Sequence, residues 1–433
     1  MPITKRLVAI LTLVVLMPWI LPAQAQLPNT SEVPDMVVGS WQGQLDAGGM
    51  ELRVVIHIEQ EADSLKATMD SPDQGLTGIP VESVRVQHDT LTLDVPSIDG
   101  RYVGALVGDE TIEGAWTQAG QSFPLTLTPT EEGMAEAPAR PQHPEPPYPY
   151  AEEEVRFSNA DDGITLAGTF TAPEGSGPHP AVVLVSGSGP QDRNSELMGH
   201  RLFHVLANHL TRQGIAVLRY DERGVGESGG PSFPTSTTEA YARDAAAAAR
   251  FLKERPEVNL ERVGLIGLSE GGLVGPMVHA QHEPLAFLVL MAGPAVPGRD
   301  IIIEQQARMA AAQGAEASAV DSTRRTQQRM FDAVQSASDS AAVADTLRVL
   351  FDAQGVPEAQ RDRQIGQFTA PWFRFFLDYD PQPVLTQLDI PVLALFGSND
   401  LQVPPAQNAE IMRSALQESP SPSATVEVLD GLN

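Results

Sequence analysis

Ser269 stands between Gly267 and Gly271 in the run Val263-Gly-Leu-Ile-Gly-Leu-Ser-Glu-Gly-Gly272. An apolar run, a glycine-framed serine and the onset of a helix predict a sharp strand-to-helix turn that lifts the hydroxyl above a sheet. The glycines follow from sterics, because strand, turn and helix approach too closely there for a Cβ. The plain alternative is an ordinary tight turn. A serine hydroxyl is a weak nucleophile until a base takes its proton and an acid orients that base. The acid is expected in the loop after a later strand. Residues 391–400, Pro-Val-Leu-Ala-Leu-Phe-Gly-Ser-Asn-Asp, place Asp400 there, beyond a glycine turn. Asp378 and Asp380 precede that strand and are weaker rivals; for Asp400 itself the alternative is a turn or helix-cap aspartate.

Acyl transfer through serine also needs two N–H donors aimed at the developing oxyanion. Glu270, immediately after the nucleophile, supplies one. The loop Ser186-Gly187-Ser188-Gly189 follows an earlier apolar run and is expected to supply the other, from Ser188. A phosphate-cradling glycine loop is the competing reading, but no P-loop lysine follows and no dinucleotide glycine spacing is present.

The elements that must carry these groups show in the rhythm of the chain. Beyond residue 151, apolar runs alternate with amphipathic or alanine-rich stretches, which predicts a mainly parallel sheet. Residues 153–158 and 163–172 read as an opening hairpin, and 181–185 as the buried strand leading into the glycine loop. Further strands are expected at 214–220, 262–268, 285–291, 391–396 and 425–429, with helices at 199–213 and 237–255. Residues 299 to 387 interrupt this order with helical sequence, the expected place for a lid. Trp372, Phe373, Phe375 and Phe376 are candidates either to cover an acyl pocket or to pack the lid itself. Residues 38–128 alternate with period two and turn often, implying roughly eight strands in a small antiparallel sandwich or barrel. Trp41 and Trp116 read as its core aromatics; His57 and His88 are expected to face solvent. The proline-dense stretch 129–150 reads as a stiff linker before a second domain at 151–433.

Composition bounds the partners. The 433 residues are 42% hydrophobic, enough for two cores, and carry a formal net charge of −28. Such a surface repels nucleic acid and anionic membranes, so neither is an expected partner. With no cysteine there is no disulfide framework, lipoprotein thiol or thiolate metal site, and no metal is expected. Residues 1–26 read as an export signal: Lys5 and Arg6, an apolar stretch from 7 to 16, then Ala23-Gln24-Ala25. Pro18 and Pro22 make that stretch a poor membrane span. A secreted, periplasmic protein with no span after signal cleavage is the expectation.

Six motifs then occur together: Ser-Gly-Ser-Gly-Pro-Gln-Asp-Arg (186–193), Arg-Tyr-Asp-Glu-Arg-Gly-Val-Gly-Glu-Ser (219–228), Gly-Leu-Ser-Glu-Gly-Gly (267–272), Met-Ala-Gly-Pro (291–294), Pro-Trp-Phe-Arg (371–374) and Gly-Ser-Asn-Asp-Leu-Gln-Val-Pro (397–404). In combination the chain resembles the EstD-type bacterial serine carboxylesterases of the α/β-hydrolase superfamily, close to the serine aminopeptidases, from residue 153 onward. The resemblance implies an α/β-hydrolase fold with a helical lid insertion, preceded by a small β domain. It also implies hydrolysis of a small short-acyl ester, no cofactor, and a structural role for 221–228. Leu268 departs from the histidine frequent before the serine.

A larger departure concerns the base. The family sets its histidine after the last strand in a Gly-x-Asn-His turn, and Asp430-Gly431-Leu432-Asn433 reaches that turn. The expectation is a triad whose imidazole lies beyond Asn433 in a longer chain. The present stretch alone is then expected to be inactive, since losing a triad base lowers kcat on the order of 10⁶-fold. Other histidines substitute poorly. His279 and His282 follow Ser269 along the next helix, roughly 15 Å or more away at ~1.5 Å per residue. His200, His204 and His209 flank the helix after the glycine loop, His179 begins its strand at the far end, and His143 is in the linker. Two other functions remain open: a serine aminopeptidase or dipeptidyl peptidase, for which Glu270 is one candidate to grip a substrate amine, and a non-catalytic binding protein.

Overall fold

The computed structural model describes residues 37–46, 51–61, 64–108, 110–118, 121–130, 140–337, 339–353, 356 and 358–433. The export signal expected at 1–26 and residues 131–139 of the expected linker lie outside these. The chain divides into two units, residues 1–141 with 197–200, and 142–196 with 201–433.

In the first unit, period-two burial closes a meander on itself. The strands are β1 (Gly39–Asp46), β2 (Glu51–Glu61), β3 (Ser64–Ser71), β4 (Leu76–Val81), β5 (Ser83–Gln87), β6 (Thr90–Val95), β7 (Gly100–Leu106), β8 (Ile112–Gln118) and β9 (Gln121–Pro129). All pair antiparallel in the order β4-β3-β2-β1-β9-β8-β7-β6-β5, so β1 joins β9 and the two edges are the consecutive strands β4 and β5. The nine strands among the described residues exceed the roughly eight expected from the turn spacing because Leu-Thr-Gly-Ile-Pro-Val of β4 hides its alternation behind Gly78 and Pro80. Proline is tolerated at such an edge, where a ladder donor is dispensable. Side chains fill the interior: Trp41, Ile56, Leu93, Tyr102, Ile112, Trp116 and Leu127 are buried together. The buried Tyr102 hydroxyl donates to the carbonyls of Ile112 and Leu125, both at 3.1 Å.

His57 departs from the solvated position expected of it. Its Nε2 lies 3.0 Å from the buried Asp70 carboxylate and its Nδ1 2.8 Å from Ser40 Oγ, across three adjacent strands. Asp70 also accepts the Gly78 N–H at 2.6 Å.

The second unit opens with the antiparallel hairpin β10 (Tyr150–Asn159) and β11 (Ile164–Pro173), then β12 (His179–Val185). The short strands β13 (Glu196–Leu197) and β14 (His200–Arg201), between which residues 197–200 count with the first unit, precede α1 (Leu202–Arg212). The order continues β15 (Ala216–Tyr220), α2 (Thr238–Lys253), β16 (Val258–Leu268), α3 (Gly271–Met277) and β17 (Leu288–Met291). Six helices follow: α4 (Gly298–Ala312), α5 (Ala317–Ser336), α6 (Ser340–Ala353), α7 (Glu358–Thr369), α8 (Pro371–Asp378) and α9 (Gln382–Leu385). The chain then returns to the sheet with β18 (Val392–Gly397), α10 (Pro405–Glu418) and β19 (Ala424–Leu429). Strand order is β10-β11-β15-β12-β16-β17-β18-β19, parallel from β15 to β19.

Both faces of this sheet are covered, which is why its central strands read as unbroken apolar runs rather than alternating ones. Val183 and Leu265 face a core shared with α2, α3 and α10, while Val182, Leu184 and Ile266 face α1 through Phe203 and Ala207. The alanines of α2 are buried and let it lie close against the sheet; Thr237 caps the helix by accepting from the Ala240 N–H.

Candidate active site

β16 runs straight into the predicted turn. Ser269 has φ +52, in the left-handed region that a residue with a Cβ rarely adopts, and its N–H donates to the Met291 carbonyl at 2.8 Å. Strain of this kind persists only where the surroundings enforce it. A Cβ on Gly267 would overlap the carbonyl of Gly271, and one on Gly271 would overlap the carbonyl of Val185. One on Gly272 would come 2.5 Å from the Cα of Gly293. The three glycines therefore answer to close backbone approach at one corner, where β12, β16 and α3 meet.

The glycine loop after β12 lies against Ser269. A Cβ on Gly187 would stand 3.2 Å from Ser269 Cβ and 3.7 Å from its Oγ. Ser188 is half-buried in that loop. Ser269, Glu270 and Ser188 thus share one corner with Gly267 and Gly271.

Glu270 itself is buried. Thr238 Oγ donates to its Oε1 at 2.6 Å, and Trp372 Nε1 lies 2.9 and 3.0 Å from its two oxygens. Burial raises its pKa, and these donors with Ser188 pull the other way. Glu222 sits across a common cavity, accepting from Ser186 Oγ at 2.6 Å and the Gln191 N–H at 3.2 Å. Burial holds its pKa well above the carboxylate range, with the Glu270 charge adding to the shift. Sequence reading missed Glu222 as an organiser of the loop and the Glu270 carboxylate as a partner of the lid. Trp372 and Glu270 are 102 positions apart, and no spacing rule links them.

At the other end of the sheet's C-terminal edge, β18 ends at Gly397 and the loop turns to Asp400, which is nearly buried. Its Oδ1 accepts the N–H groups of Gln402 and Val403 at 2.7 and 2.9 Å; among the described residues its Oδ2 accepts no hydrogen bond. The turn after β19 packs on the same loop. Ser398 N–H donates to the Leu429 carbonyl at 2.9 Å and Asn399 N–H to that of Leu432 at 2.7 Å. A Cβ on Gly397 would meet the Leu432 carbonyl.

Three other histidines lie beside other groups. His279 Nε2 is 2.7 Å from Asp389, and His282 Nε2 is 3.5 Å from Glu239. His204 packs edge-on against Tyr148, and burial with the Arg219 charge lowers its pKa to about 4. His279 and His282 occupy a π-helical turn after α3, which ends at Met277, rather than a continuous helix.

The lid aromatics divide. Phe373 packs with Phe331 and Phe368 inside the helical insertion, whereas Trp372 stacks on Phe376 and turns its N–H to Glu270. The loop 221–228 has a structural part, as the motif implied. Asp221 holds the Arg193 guanidinium at 2.8 Å and accepts the Glu227 N–H at 3.1 Å, and Ser228 Oγ donates to the Asp221 carbonyl at 2.6 Å. Arg223 is buried against Asp244 of α2 at 2.7 Å.

A mainly parallel sheet with helices on both faces, a serine elbow on a central strand and a helical insertion after the next strand define an α/β-hydrolase. The sequence profile of the Hydrolase_4 family (serine aminopeptidase, S33) matches residues 181–433, and the chain belongs to that family. It is 32% identical over 238 residues to Esterase EstD of Thermotoga maritima, covering 55% of this chain and 50% of that protein. It is 30% identical over 173 residues to the uncharacterized protein PA2218 of Pseudomonas aeruginosa, covering 39% and 42%. The chain spans about half the length of the curated relatives it matches. Among solved structures, the α/β hydrolase GrgF from Penicillium sp. sh18 superposes with a TM-score of 0.43 at 18% identity, over 65% of this chain and 90% of that one.

Proposed function

We propose that this protein hydrolyses carboxylic esters of short acids through a serine acyl-enzyme. The observation that carries the reading is the left-handed Ser269, framed by glycines and set against the Ser186–Gly189 loop. In this reading Ser269 Oγ attacks the ester carbonyl carbon while an imidazole takes its proton. The resulting oxyanion rests on the N–H groups of Glu270 and Ser188. Collapse expels the alcohol, protonated by the imidazolium, and water then releases the acid by the same path in reverse. Asp400 is the orienting acid, with Oδ1 held by two backbone donors and Oδ2 left for the imidazole. The imidazole is assigned to the turn that Asp430, Gly431, Leu432 and Asn433 open, because that backbone is hydrogen-bonded to the Asp400 loop. Export to the periplasm belongs to the same proposal, on the leader-like residues 1–26. No nucleic acid or cofactor enters it.

The rival is an aminopeptidase on the same serine, which needs a carboxylate free to grip a substrate amine. Glu270 is poorly suited to that task, being 4% exposed and already accepting from Thr238 and Trp372. Comparing p-nitrophenyl butyrate with aminoacyl p-nitroanilides on full-length protein tests the choice: the ester is expected to have the higher kcat/KM. Preference for the anilides overturns the esterase reading. Failure of a fluorophosphonate to label Ser269 overturns catalysis by this serine and favours a binding role.

A further inference from the structure

Glu270 uses two ends for two tasks. Its N–H is one oxyanion donor of the proposed reaction, whereas its carboxylate points into the protein and joins two separate elements. Thr238 reaches it from the start of α2 and Trp372 from lid helix α8. One carboxylate therefore ties the residue that carries an oxyanion donor to the lid. Trp372 is itself held: its ring stacks on Phe376 at 5.1 Å, packs on Phe233 at 4.8 Å, and its backbone N–H donates to the Pro234 carbonyl at 3.1 Å. The glycine loop is pinned by Glu222 through Ser186 and Gln191.

From this geometry we propose that the Glu270 carboxylate is the positioning group that sets the aim of the Glu270 N–H oxyanion donor, and that Trp372 makes that aim depend on the seating of lid helix α8. The inference rests on the serine acyl-transfer reading. A carboxylate can accept from Thr238 and Trp372 at once, whereas an amide replaces half of that acceptor with N–H groups facing other donors. Donors aimed at charge that develops only in the transition state affect kcat more than ground-state binding. The consequence is a separation of kinetic constants that loss of stability alone does not produce.

Trp372→Phe keeps a ring for the stack and removes the N–H. In full-length protein it should lower kcat for p-nitrophenyl butyrate about 10-fold with KM changed by less than about twofold, a fraction of the effect of deleting an oxyanion donor outright. Glu270→Gln should lower kcat by at least as much, and the double variant should be no slower than Glu270→Gln alone, because the two remove one shared interaction. The indole N–H resonance of Trp372 should move in Glu270→Gln. Hydrolysis by the unsubstituted protein with kcat unaffected in Trp372→Phe overturns the coupling and leaves the esterase reading intact. So do multiplicative rather than shared losses that follow the fall in Tm. If the unsubstituted protein fails to hydrolyse the ester, the esterase reading falls first and the inference with it.

Discussion

At the scale of single residues, the proposed chemistry sits at the ends of strands of the second unit. Ser269 closes β16 and Asp400 follows β18, so each can be substituted without disturbing a core. Asp400→Asn should lower kcat about 10⁴-fold while leaving KM and Tm close to their original values, because the acid orients the base rather than binding substrate; steady-state kinetics with p-nitrophenyl butyrate check this. Ser40, His57 and Asp70 in the first unit also form a hydroxyl–imidazole–carboxylate chain. Ser40 lies in a strand paired along its length with β2, and its own carbonyl accepts from Thr130. Backbone donors there are committed to the ladder rather than aimed at an oxyanion, so Ser40 is expected to remain unlabelled by a fluorophosphonate. The turns that carry Ser269 and Asp400 were legible because each lies within one short strand-loop signal. The setting of the Glu270 carboxylate was not, since its partners Thr238 and Trp372 lie far from it in sequence, and the cross-strand setting of His57 depends on register that alternation alone does not supply.

At the scale of elements, the elbow depends on three backbones meeting where no side chain fits. Gly267→Ala must move either α3 or β16, and a loss of at least about 1–3 kcal/mol is expected from forced overpacking, with activity lost together with Tm in thermal unfolding. The loop 219–228 locks the glycine loop to the sheet through ion pairs. Asp221 has a depressed pKa: burial raises it, but Arg193 and the backbone donors more than reverse that. A carboxylate whose folded pKa is depressed contributes stability that is fully present above its unfolded pKa of about 4 and disappears as pH falls through the folded value. Asp221→Asn should cost about 2 kcal/mol near neutral pH, in the range for hydrogen bonds to charged groups, and the deficit should shrink as urea titrations are repeated toward pH 3. The parallel strands, α2 and the lid insertion were readable from apolar runs and alanine periodicity. Helix ends were less so: α1 begins at Leu202 rather than 199, and α3 gives way to a π-helical turn after Met277.

At the scale of the whole molecule, charge is the dominant property. Fifty-six acidic residues face 28 lysines and arginines, so half of the acids lack a basic counterpart even if every base is paired. Raising salt from about 0.1 M to about 1 M shortens the screening length from about 10 Å to about 3 Å. Relief of self-repulsion should then raise Tm by a few degrees, read by scanning calorimetry; a lower Tm would mean that the ion pairs screened at the same time matter more. No helix among the described residues is long and apolar enough to cross a membrane. The first unit, with its filled interior, contributes no group to the proposed chemistry. The central claim is that Ser269 is the acylated nucleophile. It is tested most directly by incubating full-length protein with a fluorophosphonate and mapping the adduct by peptide mass spectrometry. The account predicts a single modified serine at 269, formed more slowly in Asp400→Asn and absent in Ser269→Ala together with ester hydrolysis. An adduct on another serine, or ester hydrolysis that survives in Ser269→Ala, contradicts it.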